Sequence, residues 1–393
     1  MSEADVLDGF LVDRVSTRLV RAGEPPTSAR VVAALRAEGA VLGDRGVLDV
    51  VAAVTRELTG AGPLDSLLAD PATSDVLVNG ADEVWVDRGD GLSRVPVAFS
   101  DEAAVRRLAQ RLAASAGRRL DTASPSVDAR LPGGVRLHAV LPPISPRGTV
   151  ISLRVVARRT YSLDELEDLG SLVPEMTAAL RELVAARLAF LITGGTGTGK
   201  TTLLSSLLSC VASTERIVLV EDSGELVPRH PHVVRLEARL PNAEGAGGFS
   251  LRDLVRQALR MRPDRLVVGE VRGAEVVDLL AALNTGHDGG CGTVHANAPE
   301  ALPARLEALA AAAALGRDAL HSQLAAAVQA VVHVVRGRDG LRRVAVIAAL
   351  HRDARGRVRV LPALTAGPGG VASGEGLDVL RRHLRTSVEW GGG

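Results

Sequence analysis

Aromatic residues are scarce in this chain, at 2% of 393 residues, which leaves few rings for stacking bases and disfavours a single-strand nucleic-acid binder. Acidic and basic residues balance at 46 each, so no overall charge attracts nucleic acid or anionic lipid. The two cysteines, Cys210 and Cys291, are too few for a disulfide framework or a tetracysteine zinc site. We expect both to be buried thiols in a reducing compartment.

Long apolar runs are also missing from the chain. None approaches the roughly 18 residues of a membrane span, and the acidic start MSEADVLD does not resemble a signal peptide. We therefore expect a cytoplasmic protein without a membrane span of its own. The hydrophobic content of 46% is ample for buried cores, and the length allows two or three domains.

Lysine occurs once, at Lys200, whereas the other 45 basic residues are arginine. This lysine lies in LAFLITGGTGTGKTT, residues 188–202, where an apolar strand leads into a glycine-rich turn and then a helix. Gly194, Gly199, Lys200 and Thr201 fit the pattern G-x-x-x-x-G-K-[ST] in the strand, loop and helix context that it needs. A compact ammonium suits a place where a planar guanidinium would not fit. The pattern predicts a nucleoside triphosphate site.

The chemistry of this loop follows from its backbone. Glycines let successive N–H groups turn inward, and the helix start adds a positive dipole, so the loop surrounds phosphate oxygens. Lys200 would reach the β and γ phosphates, and the Thr201 hydroxyl would contact Mg²⁺, which makes ATP and Mg²⁺ the expected cofactors. A linker that matches by chance is the alternative, and the flanking strand and helix disfavour it. The expected binding residues are Gly194, Gly195, Thr196, Gly197, Thr198, Gly199, Lys200, Thr201 and Thr202.

Periodicity suggests how the rest of the chain is divided. Residues 1–66 read as a helical segment, and residues 67–156 as a small α/β domain of short strands with a helix from Asp101. Residues 157–182 read as a linker with helix starts at Ser162 and Pro174, residues 183–362 as the core, and residues 363–393 as a glycine-rich break and tail. Strands of the small domain carry Arg130, Arg136 and Arg154. We expect these arginines either to be solvated or paired with nearby carboxylates, or to face a phosphate.

The core alternates apolar strands with amphipathic helices, which predicts an α/β fold with a mainly parallel sheet covered on both faces. The predicted strands are residues 217–221, 233–236, 265–270 and 291–295, and the predicted helices are residues 250–261 and 274–284. In such a sheet, ligands bind at the carboxyl ends of the strands. The polar residues at those ends are therefore the candidates for chemistry.

Three predicted strands are flanked by polar clusters. Hydrolysis of a nucleoside triphosphate needs a held Mg²⁺, a carboxylate that orients and deprotonates water, and cations near the γ-phosphoryl group. Taken singly, such a carboxylate is more often a turn or helix cap, and a histidine more often a packed residue. Three clusters beside one phosphate loop favour catalysis. The clusters contain Glu221, Asp222 and Glu225, then Glu270, then His287 and His295.

The order of these motifs resembles a known family. GGTGTGKTT, VEDSGEL, LRMRPDRLVVGEVRG and NTGHDGGCGTVHAN are similar to the Walker A motif, Asp box, atypical Walker B motif and His box of the type II/IV secretion traffic ATPases. The match is closest to the branch that serves Tad/Flp pili and conjugal transfer. GPLDSLLADPATSDVLVNG and SVDARLPGGVRLHAVLPP resemble the N-terminal domain of the same family. The resemblance covers roughly residues 60–350 and implies a RecA-like core.

The resemblance also implies residue roles. Lys200 and Thr201 bind phosphate and Mg²⁺, and Glu225 matches the water-activating glutamate, supported by Glu221 and Asp222. Glu270 matches the Walker B glutamate, which reaches Mg²⁺ through water because Gly269 replaces the usual aspartate. His287 and His295 match residues that sense the γ-phosphate. Arg130, Arg136 and Arg154 fall where the family's N-terminal domain lends arginines to the nucleotide.

The same resemblance implies a homohexamer at the cytoplasmic face of the membrane. Its partner would be an inner-membrane platform protein of a pilus or secretion system, and nucleotide turnover would drive motion between domains. A conjugation or DNA-translocating ATPase of the same superfamily is the alternative, although the balanced charge makes nucleic acid an unlikely partner. A binding module without turnover is a third possibility, which the presence of Glu225 and Glu270 disfavours.

Overall fold

The computed structural model describes residues 11–12, 14–16, 18–19, 27–40, 42–89, 91–131, 133–155, 159–239, 241 and 246–384. The chain divides into two compact units, residues 1–157 and residues 158–393. The expected boundary between residues 156 and 157 lies outside the described residues, as does the end of the expected tail.

The first unit begins with helices, as the sequence predicts. Helix α1 is Ser28–Ala37 and helix α2 is Asp44–Thr59, followed by a 3₁₀ turn at Gly62–Leu64 and by α3, Asp65–Ala69. Apolar residues at helical spacing put one face of α1 and α2 into a small core of their own, which includes Val31, Leu35 and Val54.

The rest of the first unit is an antiparallel sheet with one long helix. The sheet order is β3-β2-β1-β6-β5-β4. Helix α4, Glu102–Ser115, starts where the Asp101 carboxylate accepts the Ala104 N–H, so the helix start predicted at Asp101 is confirmed. Alternate strand residues such as Val76, Val78 and Leu137 are fully buried. The strands are β1 Asp75–Gly80, β2 Glu83–Asp87, β3 Leu92–Val95, β4 Ser126–Arg130, β5 Arg136–Val140 and β6 Val150–Arg154.

The second unit begins with two helices in the stretch expected to be a linker. Helix α5 is Leu163–Asp168, which starts at a capping box of Ser162 and Glu165, and α6 is Pro174–Ala185. Leu163 and Leu180 lie in the same core as the sheet residue Phe190. The expectation of a linker is therefore wrong for these residues, because their apolar faces are part of the second unit's core.

A nine-stranded sheet organises the second unit in the order β15-β14-β13-β12-β7-β11-β10-β8-β9. From β12 to β9 every neighbouring pair is parallel, which confirms the predicted mainly parallel sheet. Valine, isoleucine and leucine fill these strands because both faces are covered. The strands are β7 Phe190–Gly194, β8 Ile217–Glu221, β9 Val233–Glu237, β10 Arg265–Val268, β11 Cys291–His295, β12 Ala330–Arg336, β13 Arg342–Arg352, β14 Val358–Gly367 and β15 Gly370–Ser373.

Helices cover both faces of this sheet. One face carries α6 with α7, Lys200–Leu208, and the other carries α8, Leu251–Ala258, and α9, Glu275–Leu283. Two more helices on the second face are α10, Leu302–Ala312, and α11, Arg317–Ala327. No helix among the described residues is long and apolar enough to cross a lipid bilayer.

The predicted glycine-rich break is a hairpin that completes the sheet. Gly367 pairs with Gly370 at the turn between β14 and β15, where Gly370 has a φ of +99°. Helix α12, Leu377–Leu384, then buries Leu380 in the core on the α7 side. The prediction is therefore wrong here, because the apolar residues on both sides of the glycines pair as strands.

A buried arginine ties together the edge of the sheet opposite the carboxyl ends of the strands. Arg265 is 2% exposed, and its Nε donates to Glu215 Oε2 at 2.7 Å. Its other nitrogens donate to the carbonyls of Val184 and Gly289. A Cβ at Gly289 would lie 2.0 Å from the Arg265 guanidinium, so glycine is required there. This cluster joins α6, β10 and the loop before β11.

We expect Arg265→Ala to lower the free energy of unfolding by about 3 to 5 kcal/mol, because it removes the buried guanidinium that contacts both oxygens of the partly buried Glu215 carboxylate and leaves only the more distant Arg187 beside that acid. Urea unfolding followed by circular dichroism measures the effect. Arg181→Ala is the control, since Arg181 forms an exposed ion pair with Asp164 that is worth at most about 1 kcal/mol. Equal losses in the two variants would contradict the prediction.

Candidate nucleotide site

The loop from Gly194 to Gly199 joins β7 to α7 as the motif requires. Gly194, Gly197 and Gly199 have φ values of +153°, +72° and +92°, in the region that favours glycine. A Cβ at Gly194 would lie 2.4 Å from the Val334 carbonyl oxygen. The loop therefore needs glycine both for its backbone angles and for its contact with β12.

Lys200 is the first residue of α7 and is 7% exposed. Its Nζ donates to the carbonyls of Gly194 at 3.1 Å and Gly195 at 2.7 Å. Burial lowers the pKa of Lys200, while the charges of Glu270 and Glu225 oppose that shift. Both carboxylates therefore lie near enough to act on the ammonium.

An imidazole connects this ammonium to an acid at the end of the next strand. His295 Nδ1 lies 3.3 Å from Lys200 Nζ, and His295 Nε2 lies 2.8 Å from Glu270 Oε1. The ammonium only donates, so Nδ1 accepts and Nε2–H donates to Glu270. Parallel pairing sets this arrangement, because His295 is opposite Gly194 in the β7 and β11 register.

The acids after β8 form a compact loop. Glu221 is 2% exposed, and its Oε1 accepts the backbone N–H groups of Glu225 and Leu226, each at 2.8 Å. Burial raises the pKa of Glu221 to about 7, although these N–H groups and Arg235 act in the opposite direction. Glu225 is half-buried, and Asp222 forms an ion pair with Arg272.

His287 does not join the cluster. It precedes the amino end of β11, whereas Gly194 pairs with His295 at the carboxyl end, about 13 Å along the strand. Its Nδ1 lies 3.1 Å from the Ala282 carbonyl near the end of α9. The expectation that both histidines sit at the phosphates is therefore wrong for His287, because the two flank opposite ends of one strand.

The three predicted arginines form a row across the sheet of the first unit. Arg130 is opposite Arg136, and Arg136 is opposite Arg154. Arg136 donates to both oxygens of Asp128, at 3.2 and 2.7 Å, and Arg154 donates to Asp75 at 3.0 Å. Arg136 and Arg154 thus adopt the carboxylate-paired state that is common for arginines on strands.

Two arginines that the motifs do not include contact the site. Arg342 Nε donates to the Gly197 carbonyl at 2.9 Å, and Arg235 Nε lies 3.3 Å from Glu221 Oε2. Both lie on strands far from the phosphate loop in sequence. No local pattern marks them in a chain with 45 arginines, so only the sheet order reveals them.

The side chains of this region fit a magnesium nucleotide better than a metal alone. In the described part of the chain, no three His, Cys, Asp or Glu side chains converge as a metal site. Mg²⁺ keeps several waters and is held by one or two protein groups together with phosphates. Thr201, on the first turn of α7, and Glu270 are suited to this role.

Comparison with known proteins shows which family this chain resembles. Residues 57–364 match the family described as type II/IV secretion system protein. A putative conjugal transfer protein of Mycobacterium tuberculosis is 59% identical over 327 residues, which are 82% of this chain and 93% of that protein. VirB11 of Agrobacterium fabrum is 30% identical over 69% of this chain and 87% of its own length.

A solved structure shows the same fold. The ATPase DotB of Yersinia pseudotuberculosis superposes with a TM-score of 0.51 at 16% identity, over 82% of this chain and 81% of that one. The chain therefore shares the α/β fold of that structure, and it belongs to the type II/IV secretion system protein family.

Proposed function

We propose that this protein is a Mg²⁺-dependent ATP hydrolase that drives a Tad/Flp-type pilus or a type II/IV secretion system. One observation carries the proposal: beside the glycine loop, His295 contacts Lys200 with one ring nitrogen and Glu270 with the other. A structural lysine would not need an imidazole and a second acid beside it. These groups are suited to detect and act on a γ-phosphoryl group.

Phosphate binding uses groups that are already in place. The glycine loop presents N–H groups, and Thr201 and Thr202 lie on the first turn of α7. Lys200 exchanges the carbonyls of Gly194 and Gly195 for phosphate oxygens, which bear more charge than a carbonyl. Loss of the lysine would remove the ammonium that contacts the phosphate oxygens.

Mg²⁺, when bound, neutralises charge on the phosphates and orients them. Thr201 and Glu270 would hold this ion together with the phosphates. His295 keeps Glu270 in place with its Nε2–H, and its Nδ1 contacts Lys200. A change at the γ-phosphate is thereby transmitted from Lys200 to the end of β11.

Glu225 is the better candidate for the general base. It is half-buried and near Lys200, so it is able to reach a water molecule at the phosphate. Glu221 is 2% exposed, and one of its oxygens accepts two backbone N–H groups. Its role is therefore to hold the loop in place. Asp222 supports the same loop from its ion pair with Arg272.

The remaining parts of the proposal concern the assembly. The protein forms a homohexamer at the cytoplasmic face of a membrane and acts on a platform protein of the pilus or secretion machine. Arg130, Arg136 and Arg154 lend positive charge to a nucleotide during turnover. For Arg136 and Arg154 this requires that phosphate replaces the carboxylates of Asp128 and Asp75. Turnover changes the orientation of the two units and so performs work.

A conjugation or DNA-translocating ATPase is the second candidate, which the names of several relatives favour. It predicts that single- or double-stranded DNA stimulates ATP hydrolysis. Turnover that is unchanged by DNA would favour the pilus or secretion motor.

We expect Glu225→Gln to bind ATP normally while losing turnover by a factor of at least about 100, because glutamine cannot accept the proton of the attacking water. Steady-state phosphate release and equilibrium binding measure the two quantities. Glu175→Gln, at an exposed position on α6, is the control and should behave as wild type. Full turnover in Glu225→Gln would reassign the base to Glu221 or Glu270.

We expect Lys200→Ala to abolish nucleotide binding, since it removes the ammonium that the phosphates require. Because Lys200 is the only lysine in the chain, an amine-acylating reagent should modify one side chain, and ATP with Mg²⁺ should protect it. Mass spectrometry of the tryptic peptides measures protection. Tight binding by the variant, or labelling that ATP does not slow, would refute the phosphate-loop assignment.

The raised pKa of Glu221 makes the stability of the fold depend on pH. Burial raises its pKa from 4.5 to about 7, so proton binding favours the folded state. This contribution is complete below about pH 4.5 and is lost as the pH rises through 7, on the order of 3 kcal/mol in total. Urea unfolding should show a flatter pH dependence for Glu221→Gln than for wild type. Glu237→Gln, opposite Glu221 on β9, is the control, and equal slopes in Glu221→Gln and wild type would contradict the burial argument.

A further inference from the structure

The loop that carries Glu225 is held by side chains that the phosphate-binding motifs do not include. Glu221 ends β8, and its Oε1 accepts the N–H groups of Glu225 and Leu226. The backbone position of Glu225 therefore depends on where the Glu221 carboxylate lies.

The second oxygen of Glu221 faces Arg235, which lies on β9 at the edge of the sheet. Arg235 Nε is 3.3 Å from Oε2, an ion-pair distance, and its N–H is not aligned for a hydrogen bond. Another nitrogen of Arg235 donates to the Leu226 carbonyl. One guanidinium thus contacts both the acid that starts the loop and the residue that ends it.

Gly269 supplies the room for this arrangement. A Cβ at position 269 would lie 2.8 Å from Glu221 Cγ and 3.3 Å from Oε1. An aspartate at 269 and the observed Glu221 conformation therefore exclude each other. Gly269, the residue after β10, therefore leaves the space that the Glu221 side chain of the neighbouring strand β8 occupies.

We propose that Arg235, Glu221 and Gly269 form a clamp that fixes the loop of residues 221–226, with Arg235 as a positioning residue for Glu225. The role in turnover rests on the proposed function of Glu225 as general base. The clamp concerns only the conformation of the loop, so it can be tested independently of that function.

Charge and burial explain why Arg235 is needed. The Glu221 side chain is 3% exposed, and that of Arg235 is 32% exposed. A carboxylate so deeply buried needs a nearby cation to remain in contact with the loop as an anion. Without Arg235, the Leu226 carbonyl also loses a donor, so the loop is held from one side only.

The test compares Arg235→Gln with Arg239→Gln, an exposed arginine four residues further along the same chain segment. Hydrogen exchange of the Glu225 and Leu226 amides reports the clamp without requiring activity. We expect exchange to rise at least about tenfold in Arg235→Gln, and kcat to fall by a similar factor while ADP affinity stays within about threefold of wild type. Arg239→Gln should match wild type in all three measurements.

Gly269→Ala provides a second approach, because its Cβ displaces Glu221 from the opposite side. It should reproduce the faster exchange even if Arg235→Gln fails to fold.

Unchanged exchange in Arg235→Gln or in Gly269→Ala would overturn the clamp. Fast exchange with normal kcat would overturn the positioning role, and equal losses of kcat and ADP affinity would make Arg235 a binding residue instead. If the wild type does not hydrolyse ATP, the proposed function fails while amide exchange still decides whether the clamp exists.

Discussion

The second unit depends on how one ammonium is held at the end of a parallel sheet. Lys200 is buried among two backbone carbonyls and an imidazole, and two carboxylates are near enough to oppose the fall in its pKa. A cation placed this way, with little water around it, attracts a polyanion strongly. The sheet, its glycines and the acids beside it all serve to hold that charge at a fixed point.

Sheet geometry explains why the groups meet. β7, β11, β10 and β8 are neighbours and run parallel, so their carboxyl ends share one edge. His295, Glu270 and Glu221 each follow or end one of these strands, and they therefore lie along the same edge of the sheet as the glycine loop. Small residues permit close approach: Gly194 lies against Val334, and Gly269 lies against Glu221.

Much of this arrangement was predictable from sequence. The phosphate loop, the parallel strands and the caps at Asp101 and Ser162 each have a local signal, because turns, caps and alternation are set by neighbours in the chain. The linker and the glycine-rich break were predicted wrongly, since short apolar segments gain their structure from a sheet that lies elsewhere in sequence. His287 was misplaced because a motif does not say at which end of a strand its members lie.

The sequence by itself determined the phosphate loop, the acid and imidazole clusters and the class of fold, because each rests on contacts within a few residues along the chain. Only the tertiary structure decided which distant residues are in contact: Arg235 with Glu221, Arg342 with Gly197, and Lys200 with His295 rather than His287. These pairings join residues 14 to 145 positions apart. They follow from strand order and register, which arise when the whole core is buried at once.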